Sequence, residues 1–194
     1  MEAGQFLAVA GKYIRKLFLA ALFFSCAGCV SFVRVDGPYE GWVIDAVTKK
    51  PVEGVVVHGD WYKVWGTVGG ASSKWYDSAE TLTDRNGAFK IPGKGLLLLS
   101  NLDELHLTIF KAGYKQWPPN SWSGLKGQWP NDEVAWEGDR PTFRLKGLSM
   151  EERRKSFVTM PVGVSGKKLD LMKRESNKEN IELGLPSDTL YTLE

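Results

Sequence analysis

Three stretches of the chain couple a short run of alternating or β-branched residues to a fixed corner: Gly41–Val57, Thr81–Pro92 and Leu107–Lys115. Trp42–Ala46 is rich in aromatic and β-branched residues and predicts a first strand. Thr48-Lys49-Lys50-Pro51 predicts a turn, because Pro51 fixes its own φ and confines Lys50 to extended geometry. Gly54–Val57 resumes as a strand apolar on both faces, which predicts a central position. At Asp84-Arg85-Asn86-Gly87 the Asp side chain can cap a turn that Asn-Gly tolerates at positive φ. The next strand alternates, sending Phe89 and Ile91 inward. Leu105, Leu107 and Ile109 share one face of a further strand, closed by a glycine turn at Ala112-Gly113-Tyr114. Pro141–Leu145 predicts the last one. The pattern specifies a mainly β protein, an antiparallel β-sandwich, over residues 39–147.

Both ends of the chain differ from this. Lys12, Arg15 and Lys16 precede an apolar run, Leu17–Phe24, that is well short of the ~20 residues a spanning helix needs. A basic segment, an apolar segment and small residues in that order predict a secretory signal over residues 1–28. Its end, Cys26-Ala27-Gly28-Cys29, resembles a bacterial lipobox, in which cleavage precedes a cysteine that becomes diacylated. Cys29 is the better acceptor, after Ala-Gly; Cys26, after Phe24-Ser25, is the alternative. By the same resemblance, Val30 after the cysteine implies the outer membrane, facing the periplasm. Residues 29–38 then form a tether. At the other end, Ser149 and Glu152 form a capping box that predicts a helix to about Phe157. Lys167–Glu182 predicts a second, highly charged helix with a thin apolar stripe of Leu169, Met172 and Ile181. Residues 148–194 are thus a helical extension.

Charge and cysteine usage narrow the function. Without residues 1–28, the 25 basic side chains fall to 22 and the 23 acidic to 22. A neutral chain has no footprint for a nucleic-acid backbone, which excludes that class of partner. No cysteine follows Cys29, so the C-x-x-C spacing belongs to the leader rather than to redox or metal chemistry.

The residues Gly41, Val43, Asp45, Thr48, Pro51, Gly54 and Val57, then Thr83-Asp84, Gly87 and Phe89, then Gly113-Tyr114, resemble the carboxypeptidase regulatory-like domain. The resemblance implies a Greek-key, transthyretin-like sandwich of about seven strands in an extracytoplasmic setting. It implies no catalysis, since that domain is an accessory to peptidases and receptors. The usual Thr-Gly-Lys-Pro turn stands here as Thr48-Lys49-Lys50-Pro51. Pro51, Gly54, Asp84, Gly87 and Gly113 are its structural corners.

Two insertions, His58–Glu80 and Trp117–Arg140, interrupt the expected sandwich and hold seven of the eight Trp residues. They are Trp61, Trp65 and Trp75, then Trp117, Trp122, Trp129 and Trp136. Two readings of these rings stand. Folded back, they supply a satellite core for long loops; exposed beside polar side chains, they stack on sugar rings of a polysaccharide or peptidoglycan. Catalytic patterns are sparse: no H-E-x-x-H, no G-x-S-x-G, and only two histidines, His58 and His106, each expected at the surface or satisfied. Asp132, Glu133, Glu137 and Asp139 read as a solvated loop rather than a calcium site or paired carboxylates. The expectation is a non-enzymatic envelope lipoprotein without cofactor or metal, binding an envelope protein or polysaccharide. A hydrolase is the alternative from another class.

Overall fold

A computed structural model describes residues 31–118, 133–161, 164 and 166–193. Strands β2 (Tyr39–Asp45), β5 (Ala88–Ile91), β8 (Val134–Glu137) and β9 (Arg140–Leu145) form a four-stranded sheet in the order β5-β2-β9-β8. Strands β3 (Val56–Thr67), β4 (Gly70–Leu82) and β7 (His106–Phe110) form a three-stranded sheet with β3 central. The two sheets close on one interior, so the chain is a mainly β sandwich. One pairing departs from the antiparallel expectation: β2 runs parallel to β9, with Trp42 opposite Thr142 and Asp45 opposite Leu145.

Alternation builds the interior. Val43 from β2, Phe89 and Ile91 from β5, and Phe143 and Leu145 from β9 meet Val57, Leu107 and Ile109 from the facing sheet. Each such burial contributes about 1.5–3 kcal/mol, which supports a core without disulfides. Val56, one residue from Val57, points the other way and packs with Phe110, Leu169 and Met172. The apolar run Gly54–Val57 is therefore two-faced because a helix covers the sheet's outer side.

The corners follow the sequence. Asp84 Oδ1 accepts from the backbone of Asn86 (2.8 Å) and Ala88 (2.9 Å). Gly87 takes φ 71, and a Cβ there would lie 2.3 Å from the Val43 carbonyl oxygen, so no other residue fits. Gly54 and Gly113 also take positive φ, and Pro51 bridges to Ile44. Buried Thr83 ties the β2–β3 loop down, its hydroxyl donating to the Val52 carbonyl (2.6 Å) and accepting from Val55 N (2.9 Å).

Three expectations need correction. Ser31–Asp36 is not a tether but strand β1, paired antiparallel with β6 (Gly95–Ser100) as a two-stranded ribbon. Residues 58–80 are not a loop insertion, because β3 and β4 continue through them as one long hairpin, irregular only between Trp61 and Tyr62. Ile181 is exposed rather than part of a docking stripe. Helix α1 (Met150–Lys155) carries the expected capping box, and helix α2 (Asp170–Glu182) follows a 3-10 turn at Gly166–Leu169. The buried face of α2 is Met172, Ser176 and Glu179, at i, i+4 and i+7. Ile181, nine residues after Met172, falls about 180° around the helix from it. Glu179 instead receives Arg153 of α1 through Nε (2.8 Å) and Nη2 (2.6 Å), and accepts from Gly113 N (2.7 Å). This ion pair pins both helices to the end of β7, and its carboxylates hold the guanidinium pKa above its ordinary value.

Candidate functional site

The polar centre of the sandwich is Asp36, the last residue of β1 and almost fully buried. Its carboxylate accepts from Tyr39 Oη (2.7 Å), Trp61 Nε1 (3.0 Å) and the Lys94 backbone N–H (2.8 Å). The close approach requires glycine at 93, where a Cβ would lie 1.8 Å from the Asp36 carbonyl oxygen. Lys94 Nζ sits 4.0 Å over the Trp61 ring and 2.5 Å from Asp77, which Lys168 also contacts. Burial pulls the Lys94 pKa down from its ordinary value. Burial and the Asp36 hydrogen bond push Tyr39 up, so its phenol stays a donor. Arg34 Nη2 donates to the carbonyls of Leu102 (2.6 Å) and Asp103 (2.8 Å).

Beside this network opens a cleft of about 810 Å³, with Arg34, Tyr39, Glu40, Glu104, Trp136 and Arg140 in its walls. Glu40 pairs with Lys90 (2.8 Å) and Arg140 (3.1 Å). The Lys90 hydrogen bond leads in holding its carboxyl below the usual range. Trp136 is 42% exposed. The arrangement offers one aromatic face and charges of both signs, which suits a polar, hydroxyl-bearing ligand.

His58 is fully buried on the outer face of β3, beneath α2. Its Nδ1 lies 3.3 Å from Glu80 Oε1 and its Nε2 3.0 Å from Asp60 Oδ1. The second contact is poorly aligned for a hydrogen bond and acts as an ion pair. Burial opposes the charge, but Asp60 and Glu80 outweigh it and the pKa is pushed up to about 9. Glu80 also accepts from the first backbone N–H groups of α2, Leu171 (2.8 Å) and Met172 (3.1 Å), where the helix dipole favours an anion. The His58 cluster is thus a strut between sheet and helix.

Neither family models, curated proteins nor solved structures gave a match.

The seven candidate rings scatter. Trp61 and Trp117 are core residues, Trp117 packing 4.5 Å from Phe143. Trp75 is half-buried, with Lys168 at 5.9 Å. Trp65 (40% exposed) stands near the β3–β4 turn, on a different sheet from Trp136. Trp122, Trp129 and Asp132 lie outside the described residues, as do Cys26 and Cys29. Glu133 pairs with Lys115 at 3.7 Å, while Glu137 and Asp139 flank the β8–β9 turn. His106 lies 3.6 Å from Asp103 and edge-on to Tyr62. Among the described residues no group of three His, Cys, Asp or Glu is placed to hold a metal, and no helix is long and apolar enough to cross a membrane.

Asp36, Arg34 and Lys94 were not legible as site residues. Their one local signal is the Asp36-Gly37-Pro38 corner, and the partners of Asp36 lie 25 and 58 positions along the chain.

Proposed function

We propose that this chain is a bacterial envelope lipoprotein, acylated at Cys29, that holds a carboxypeptidase regulatory-like sandwich at the periplasmic face of the outer membrane as a non-enzymatic binding or structural module. One observation carries the reading. Strand β1 starts at Ser31, so only Val30 separates the lipobox cysteine from it in the sequence. A body so placed works at the membrane surface rather than far from it. The non-enzymatic assignment draws support from His58 and Arg153, the buried cationic groups among the described residues, both engaged by carboxylates that join secondary-structure elements. Metabolic labelling with a clickable fatty acid tests the anchor. Wild-type chain incorporates the label and Cys29→Ser does not; equal labelling of the two moves the acceptor to Cys26, and absence from both contradicts the lipoprotein.

The cleft beside Trp136 favours an envelope glycan as ligand, since an exposed indole stands next to the charged pair Glu40–Arg140. Binding there shifts Trp emission in the wild type and leaves the emission of Trp136→Ala unchanged. A panel of envelope glycans that moves neither protein rules the reading out.

A further inference from the structure

One face of the β1–β6 ribbon is apolar and bare. Cross-strand register sets Val33 opposite Leu98 and Val35 opposite Leu96, so these four side chains project together. They are 63–71% exposed. The other face is committed to the body. Arg34 and Asp36 bond inward, and Leu97 packs against the core. Four neighbouring aliphatic side chains left in water on a strand pair mark a contact surface rather than ordinary scatter.

The chain itself says what covers them. The ribbon starts at Ser31, two residues after Cys29. Two Cα steps reach no further than about 7 Å. An acylated Cys29 therefore brings the bilayer surface within that distance of the ribbon's first residue. We infer that the face formed by Val33, Val35, Leu96 and Leu98 beds into the interfacial region of the lipid bilayer that holds Cys29. Two acyl chains already supply stable attachment, so the ribbon's part is to fix the tilt of the sandwich against the membrane. The ribbon's charged side chains, Arg34 and Asp36, turn toward the protein, so neither is drawn into lipid. This inference builds on the anchor proposed above.

The test uses the full chain, produced with its leader and reconstituted into vesicles of phosphatidylethanolamine and phosphatidylglycerol. The vesicles are doped with a phosphatidylcholine carrying a diazirine in its acyl tail. After photolysis and proteolysis, mass spectrometry should find lipid adducts at Val33–Val35 and Leu96–Leu98. Val47, 81% exposed beyond the far end of β2, should carry none. The double variant L96D/L98D changes two exposed side chains and should cut the adducts about tenfold, while melting like the wild type. The same spectra weigh the peptide that contains Cys29. A diacylated Cys29 without ribbon adducts overturns the inference and leaves the anchor standing. Ribbon adducts with an unmodified Cys29 overturn the anchor at Cys29 and keep the contact between this face and lipid. A crosslink between copies through the leucines, with no lipid adduct, assigns the face to a second chain and also overturns it.

Discussion

Lys49 holds a backbone conformation that its side chain disfavours. Its φ is 59, in the left-handed region, at the position where the resembled family's turn carries glycine. An L-residue pays roughly 1–2 kcal/mol for that conformation, and the Lys49 Nζ contact to the Ala46 carbonyl (2.5 Å) is solvent-exposed and recovers little. Lys49→Gly should stabilise the protein by about 1 kcal/mol in urea unfolding, with an unchanged m-value; a loss of stability would mean the lysine contributes something beyond the corner. The turn around Lys49 was readable from sequence through Pro51, because a turn constrains its own few positions. Asp84, Gly87 and Gly113 were legible for the same reason. Asp36 was not, since its meaning lies in partners that only the finished fold brings near.

At the level of elements, β5 and β7 were legible through two-residue alternation, β2 through its aromatic and β-branched residues, β9 as the run Pro141–Leu145, and α1 through its capping box. The ribbon escaped because Leu96–Leu99 is an unbroken apolar run, which signals no period, and because Ser31–Pro38 sits in the shadow of the leader. The long β3–β4 hairpin was obscured by its Trp content, which suggests loops with a ligand although Trp is a strand former. The seam between sheet and helix was missed because it is polar. At its centre lies His58 between Asp60 and Glu80, with Glu80 meeting the start of α2. His58 titrates near 9 in the folded chain, against about 6.5 when unfolded. The folded state thus holds the proton more tightly. The resulting stabilisation, on the order of a few kcal/mol, is fully present below pH ~6.5 and lost as pH rises through about 9. Thermal melts should therefore decline across that window for the wild type. His58→Gln should melt lower at pH 6 and lack that decline; a wild-type profile flat from pH 6 to 10 would refute the buried imidazolium.

The molecule as a whole is a three-layer body, helices on a three-stranded sheet on a four-stranded sheet, with the ribbon at its N-terminal end. Strand β1 starts two residues after Cys29, which is the spacing on which the proposed membrane placement rests. Under the proposed acylation of Cys29, a flexible tether would let the sandwich roam, whereas a paired first strand would hold it against the lipid. Two-stranded ribbons are marginal alone, so β1 must draw its order from Arg34, Asp36 and Leu97. Amide hydrogen exchange of Ser31–Asp36 in the full-length chain measures this most directly. The paired amides of β1 should exchange slowly and in step with those of Gly95–Ser100. Complete exchange of β1 at the earliest time, with β3 and β7 still protected, would show a tether after all and contradict the account.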